Sequence, residues 1–397
     1  MISHLLKLAW RRKSSSALLL VELLASFVVV FVVATSVVFL ASCWRLPLGY
    51  EWRNVWSISV ERLRTTDDTW TPEEVQGYAR LLREGASIEG VQAIAGAMNA
   101  PYDHSTSNGD RPFGGRQVQM EFAEFTDGAR DVLGLDLVKG RWFDPADDAL
   151  PWTPVVVSER FAREAFGDAD PIGKAFGAPP DDNDERIVGV VSDYRKGGEL
   201  SIPVGFVMLR TPLGRDDVRP PQVLLVRAAP GVDAGFEERL VTKLHAAMPA
   251  WTFAARPLAD LRSRSFLLRL VPLALGATIA GFLLLMVALG LIGVLWQNVT
   301  RRTREFGLRR AAGASQGDIR RQVIMEVVLT AAFALVIGVL LAAQIPFLGL
   351  VSFVGAGTIA AGALIASILV LATVIAAGWY PSVLATRIRP ADALRDE

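Results

Sequence analysis

The chain has 397 residues, 51% of them hydrophobic, with 41 basic side chains against 41 acidic ones and no formal net charge. The zero is a cancellation: residues 44–265 hold 26 basic and 34 acidic side chains, while the rest of the chain holds 15 and 7. That balance excludes a basic nucleic-acid binder. The single cysteine, Cys43, excludes an internal disulfide framework, and three scattered histidines (His4, His104, His245) argue against a metal centre.

The first element is a basic amphipathic segment over residues 1–16, carrying Lys7, Arg11, Arg12 and Lys13. Residues 17–41 then carry one charge, Glu22, and exceed the ~20 apolar residues a helix needs to cross a bilayer core. Leu40-Ala41-Ser42-Cys43 has the form of a lipoprotein cleavage box. Secretory apolar cores, however, run to only about 7–15 residues, so a retained helix over 17–43 is expected. Glu22 lies near its basic end, where the carboxylate is expected to snorkel to the interface.

Residues 44–265 read as a mixed α/β domain. Residues 55–60 (VWSISV) alternate like a strand, and Thr71-Pro72-Glu73-Glu74 is a helix start, with Thr as N-cap and Pro in the first turn. The helix runs to about Glu84 and a strand returns at 91–97. Residues 223–227, 233–248 and 251–255 repeat the strand–helix–strand plan. Two β-α-β units therefore flank a β-rich insert of about 126–220, with strands at 155–157, 187–191 and 205–209. Residues 167–175 (GDADPIGKA) imitate a phosphate loop. Five residues rather than four separate the glycines, and Ala175 stands where a magnesium-holding hydroxyl is required, so a turn is expected. Asp181, Asp182, Asp184 and Glu185 lack the spacing of a calcium loop and read as a solvated surface. No serine–histidine–aspartate pattern has local support, and no catalytic residue is assigned.

The second half of the membrane part begins at residue 266. The residues between Arg269 and Arg301 carry no charge, nor do those between Glu326 and Arg387. The latter run is broken by Gln344, Pro346, Gly349, Ser352, Gly355 and Gly357, which divides it into two helices. The expected division is a helix over 266–299, a basic link over 300–322, helices over 323–347 and 358–381 around a short loop at 348–357, and a tail over 382–397. Basic residues crowd the N-terminal segment, the link and the tail, which places all three on the cytoplasmic side and the 44–265 domain outside. Arg256, Arg262, Arg264 and Arg269 form a local exception on the outer side.

The link itself is patterned. Residues 301–312 form an amphipathic helix with Phe306 and Leu308 among arginines, Gly313 is a natural C-cap, and Ser315 with Asp318 opens the next helix as a capping box. A short helix at the membrane surface suits docking of a cytoplasmic partner. The alternative is that its arginines fix topology and bind anionic headgroups.

Arg302, Glu305, Phe306, Gly307, Leu308, Arg309, Arg310, Ala311, Gly313, Ala314, Ser315, Asp318 and Ile319 follow a pattern that resembles the FtsX/MacB-type permeases of ABC transporters. The chain's end (Gly378-Trp379-Tyr380-Pro381, then Arg387, Pro390, Ala393, Leu394 and Arg395) resembles the same family, as do residues 135–143, 155–166, 170–174 and 187–191 of the exported domain. The resemblance implies a non-catalytic permease subunit of the bacterial inner membrane. By the same resemblance it would bind no cofactor itself, with ATP and magnesium on a partner ABC ATPase dimer. It further implies that Arg304, Glu305, Phe306, Gly307, Arg309, Arg310, Gly313, Ala314, Ser315, Asp318 and Ile319 meet that ATPase. Ser42, Trp44, Leu261 and Phe266 would belong to a stalk that passes the motion to the exported domain. A second permease copy or paralogue completes such transporters, and efflux members add a periplasmic adaptor and outer-membrane channel. Full-length efflux members carry their ATPase at the N-terminus; here 16 residues precede the first helix, so a separate ATPase is expected. Export or efflux is the leading expectation. A regulator of cell-wall hydrolases and a lipoprotein- or lipid-handling permease are the alternatives.

Overall fold

A computed structural model describes residues 13–62, 70–105, 107–113, 116–176, 185–213, 219–233, 235–349, 351 and 353–386. The chain divides into two units, one of Met1–Ser42 with Leu270–Glu397 and one of Cys43–Arg269.

The Cys43–Arg269 unit is built on a ten-stranded sheet. One half comes from β1 (Val55–Arg62), α2 (Pro72–Ala86; α1 belongs to the membrane unit below) and β2 (Val91–Ala97), together with β9 (Val223–Ala228), α5 (Phe236–Ala247) and β10 (Trp251–Pro257). The strands lie in the order β10-β1-β9-β2, every neighbour antiparallel. Two β-α-β units thus interleave into the split pattern of ferredoxin-like folds. α2 starts where the local chemistry dictates: the Thr71 hydroxyl accepts from the Glu74 amide, and the Glu74 carboxylate accepts from the Thr71 amide. Alternation along β1 sends Ile58 and Val60 to the helix-covered face, where they meet Tyr78, Leu81, Phe236, Leu240 and Leu244. Ser57 and Ser59 fall on the opposite face.

The other half of the sheet holds β3 (Asn108–Phe113), β4 (Arg116–Phe125), β5 (Leu137–Gly140), β6 (Thr153–Ser158), β7 (Glu185–Val191) and β8 (Gly205–Arg210), with α3 (Ala129–Leu133) and α4 (Glu159–Phe166). It continues the sheet as β4-β8-β6-β7-β5, with β4–β8 and β6–β7 parallel and β3 hairpinned onto β4. This half begins at Asn108, upstream of the residue 126 taken from the sequence as the start of the insert. In β4, burial alternates at Val118 and Met120 and then changes phase to Ala123 and Phe125, which hides the period-two signal of a strand. β2 and β4 share a single register pair, Ala97 with Phe125, so the two halves meet at a narrow seam.

Among the described residues, four helices are long and apolar enough to cross a membrane. They lie within α1 (Lys13–Trp44), α6 (Leu258–Arg301), α8 (Gln316–Phe347) and α9 (Ala356–Thr386). These helices are apolar on nearly every side, so close approach rather than amphipathicity orients them. The Phe27 ring of α1 fills the space a side chain at Gly338 of α8 would need, and Thr35 does the same at Gly362 of α9. Glu22 does not turn outward: it is half-buried, with its carboxylate next to Gly290 of α6, whose missing side chain leaves the room. Leu23, Phe27, Val30 and Phe31 anchor the core, with Val287 and Leu291 of α6, Ala331 and Ala334 of α8, and Ala366 and Val370 of α9.

Candidate coupling segment and stalk joint

Two constellations stand out, one at each end of α6. At the C-terminal end, α7 (Thr303–Ala311) follows Arg301 almost directly, the Arg302 amide bonding to Val299 O. The turn out of α7 runs through Gly313 at φ +100°, a conformation side chains avoid. Amides of Ala312 and Ala314 close it onto Leu308 O and Arg309 O. Ser315 then caps α8: its hydroxyl accepts from the Asp318 amide, and the Asp318 carboxylate accepts from the Ser315 amide.

A polar network ties α7 to α8. Arg302 lies 2.9 Å from Glu305 and 2.9 Å from Glu326, and Arg309 lies 2.8 Å from Glu305 and also bonds Gln322, which in turn reaches Glu326 at 3.3 Å. Phe306 and Ile319 are each 1% exposed and pack with Val299 and Val323, and Gly307 is buried. Arg304, Leu308, Gly313, Ser315 and Asp318 are exposed, Arg309 largely so, and Ala314 is half-buried. The side chain of Arg310 lies outside the described residues, as do residues 387–397 and 1–12. The motif thus splits into a buried set, Phe306, Gly307 and Ile319, and an exposed or half-buried set that includes the turn and cap residues Gly313, Ala314, Ser315 and Asp318. Glu326 was not among the residues singled out from the sequence. Its signal was present, as an acid one turn after Gln322 at the edge of an uncharged run.

The second constellation is the joint between the final residues of α1, Cys43 and Trp44, and α6 from Leu258 to Arg269, all within the Cys43–Arg269 unit. Trp44 and Phe266 bring their rings to 5.6 Å, and Leu261, half-buried, packs into the domain core. Ser42 donates only to its own helix, at Phe39 O. The joint itself is made by the loop of residues 193–201, whose role the sequence did not reveal. Arg195, 3% exposed, donates to Cys43 O (2.9 Å) and Leu46 O (3.2 Å) behind α1, and to Glu199 O and Ser201 O (both 2.7 Å) in its own loop. A cation against the last carbonyls of α1 also meets the negative end of the helix dipole. From α6, Arg262 holds the Glu199 carboxylate at 2.6 Å while stacked on Trp52 and Phe266, and Arg269 donates to Leu200 O at 2.9 Å.

Electrostatics follow from burial. Desolvation lowers Arg195 and Lys196 below their ordinary values, the latter against the pull of Glu121 and Asp103. Burial also pushes the Glu121 carboxyl up, opposed by Lys196 and Arg269. Two of the four outer arginines that broke the flanking-charge pattern, Arg262 and Arg269, are therefore committed to this joint. The Gly-Gly after Arg195-Lys196 was the available sequence signal for a tight, cation-bearing loop.

Residues 170–174 form a turn, with the Ile172 amide on the Asp170 carboxylate and the Gly173 amide on Ile187 O; Lys174 rests over the Phe166 ring. Asp181, Asp182 and Asp184 lie outside the described residues, while Glu185 pairs with Arg111 at 3.0 Å.

Two family models match this sequence. Residues 24–242, more than half of the chain, match the MacB-like periplasmic core domain, and residues 277–390 match the FtsX-like permease C-terminal region. The chain is similar to the macrolide export ATP-binding/permease protein MacB 1/2 of Paracoccus denitrificans, with 30% identity over 227 residues, covering 53% of this chain and 32% of that protein. It is also similar to the pyoverdine export ATP-binding/permease protein PvdT of Pseudomonas aeruginosa, with 27% identity over 291 residues, 67% of this chain and 41% of that one. The chain therefore spans 32% and 41% of the lengths of these relatives. Among solved structures it is similar to the periplasmic region of MacB from Actinobacillus actinomycetemcomitans, at 15% identity and a TM-score of 0.38, covering 54% of this chain and 92% of that one.

Proposed function

The chain belongs to the MacB/FtsX-type family of ABC transporter permeases, and from that premise we propose that it couples an ABC ATPase to movement of its Cys43–Arg269 unit during export of a substrate. In this reading the segment around α7 is cytoplasmic and receives the ATPase, the α/β unit lies on the periplasmic side, and a second permease, identical or paralogous, completes the transporter. The observation that carries the proposal is the exposed set on α7. Leu308 is 59% exposed beside Arg304 and Arg309, while Phe306 on the same short helix is buried. An exposed apolar side chain beside arginines matches the apolar-centre, polar-rim layout of a protein interface. Continuity of α6 from Leu258 to Arg301 supplies a rod along which a displacement at α7 would travel. The names of the relatives speak of export of macrolides and of pyoverdine; for this chain, export is the proposal and the cargo is not assigned.

The test is ATP hydrolysis that co-purifies with the full-length protein from native membranes. Leu308→Asp is expected to strip most of that activity while leaving the yield of folded permease unchanged. Retention of wild-type hydrolysis by the variant would refute docking at α7.

A further inference from the structure

Beyond the joint, the α/β unit contains a cleft of about 350 Å³, toward the lower end of the ~300–1,000 Å³ typical of small-molecule sites. Its floor is the sheet face opposite α2 and α5. Ser57 and Ser59 of β1 point into it, and Arg256 of β10 lies directly opposite Ser57 in the register. Its wall is α6, where Leu261, Arg264, Ser265 and Leu268 recur at helical spacing and so present one face. Arg256 and Arg264 are the remaining two of the four arginines that broke the flanking-charge pattern.

Charge gives the cleft its preference. Several arginines of this acidic unit hold carboxylates, as Arg210 holds Asp127 at 2.8 Å and Arg227 holds Glu51 at 2.6 Å. Among the described residues, neither Arg256 nor Arg264 has a hydrogen-bond or ion-pair partner, and the hydroxyls of Ser57, Ser59 and Ser265 make no side-chain hydrogen bond. One carboxylate lines the cleft, Asp103, which accepts from the Ser105 amide. Two guanidinium groups against one carboxylate leave a single positive charge, with neutral hydroxyl donors beside it and leucine side chains along the wall. Two like charges lining one concave surface repel, and an anion held between them relieves that repulsion with charge-assisted hydrogen bonds. Planar guanidinium suits carboxylate and phosphate oxygens in particular.

We propose that this cleft binds a monoanionic group, a carboxylate or a phosphodiester, carried on a short apolar body, with Arg256 and Arg264 holding the anion and Leu261 and Leu268 receiving the body. The assignment does not rest on the export reading, because binding is measurable without an ATPase or transport.

The experiment uses the full chain in phosphatidylcholine nanodiscs, with 4-(trifluoromethyl)benzoate as the probe, followed by ¹⁹F NMR of the ligand. Saturable binding is expected, weakened about tenfold or more in Arg256→Gln/Arg264→Gln. The neutral isostere 4-(trifluoromethyl)benzyl alcohol should show none of it. A second variant, Ser59→Trp, fills the floor and leaves both arginines in place; it too should lose the probe. Both arginines and Ser59 are exposed, so the fold is expected to survive, which the hydrogen exchange of β1 checks. Displacement of the probe by hexanoate identifies the site with carboxylates, and displacement by dibutyl phosphate identifies it with phosphodiesters. No saturable binding to the wild type, equal binding of the alcohol, or unchanged binding in either variant overturns the proposal, as does failure of both competitors.

Discussion

The two ends of α6 hold their arginines in opposite ways. At the coupling segment, Arg302 and Arg309 are partly open to solvent and share carboxylates and an amide side chain. At the stalk joint, Arg195 is buried; its two terminal guanidinium nitrogens make four hydrogen bonds, each to a backbone carbonyl, while its Nε has no partner among the described residues. The energetic consequences differ. Solvent-exposed ion pairs contribute about 0–1 kcal/mol each and can exchange partners at little cost. A buried cation held by preorganised carbonyls tolerates burial only while those partners stay in place, and breaking such an arrangement costs roughly 3–5 kcal/mol. The first network can exchange partners at little cost. The second fixes the loop of residues 193–201 to Cys43 and Leu46 at the end of α1 and to Arg262 and Arg269 at the start of α6.

The sharpest way to break this comparison is Arg195→Met, which keeps the length of the side chain and removes its donors. The variant should destabilise the joint by about 3 kcal/mol or more, because four carbonyls lose their partner inside the fold. Hydrogen exchange is the readout. The amides of Arg195, Gly198 and Ser201, bonded to Leu48 O, Arg195 O and Gly198 O, should lose protection while those of Ala312 and Ala314 keep theirs. Arg195→Lys should rescue little, since one ammonium cannot serve carbonyls on two sides at once. If the loop amides stayed protected in Arg195→Met, the joint would not be the fixed element described here.

An intermediate effect is expected at Gly313. Nothing lies within 4 Å of a side chain built there, so its substitution tests the backbone alone. Gly313→Val should cost about 1–2 kcal/mol through the positive φ. It should lower the protection of the Ala312 and Ala314 amides by about tenfold without touching the stalk joint. Unchanged protection of those amides would show that the turn does not depend on the left-handed conformation.

How much of this was legible in the sequence follows from the range of the contacts. The turn between α7 and α8 was readable because Gly313, Ser315 and Asp318 act on neighbours within a few residues, and the Thr71–Glu74 cap was readable for the same reason. The joint was not, since Arg195 reaches a carbonyl 152 residues earlier in the chain and no local pattern marks such a partner. The membrane helices announced their length, but a helix apolar all round does not say which face packs, so the fit of Phe27 at Gly338 emerged only from the fold. At β4, the change of phase between Met120 and Ala123 defeated the alternation rule that found β1. Arg256, Arg262, Arg264 and Arg269 were visible as an anomaly of charge placement. Their division into two that hold the joint and two that line the cleft needed the structure.

The smallest effect is expected at Arg302, and it tests whether the coupling network is as adjustable as its exposure suggests. Removing the guanidinium in Arg302→Gln leaves Glu305 with Arg309 and leaves Glu326 with Gln322, so both acids keep a neighbour. The loss should therefore be about 1 kcal/mol or less. A double-mutant cycle with Glu326→Gln, read from the exchange of α7 amides, should give a coupling energy below about 1 kcal/mol. Raising the ionic strength from about 0.05 to 0.5 M should reproduce part of the effect in the wild type, because the Debye length falls from about 14 Å to about 4 Å and screens these partly exposed charges more strongly. The Arg195 joint, shielded from solvent, should show no such salt dependence. A coupling energy at Arg302–Glu326 of several kcal/mol, insensitive to salt, would erase the contrast between the two ends of α6 and make the coupling segment as rigid as the stalk.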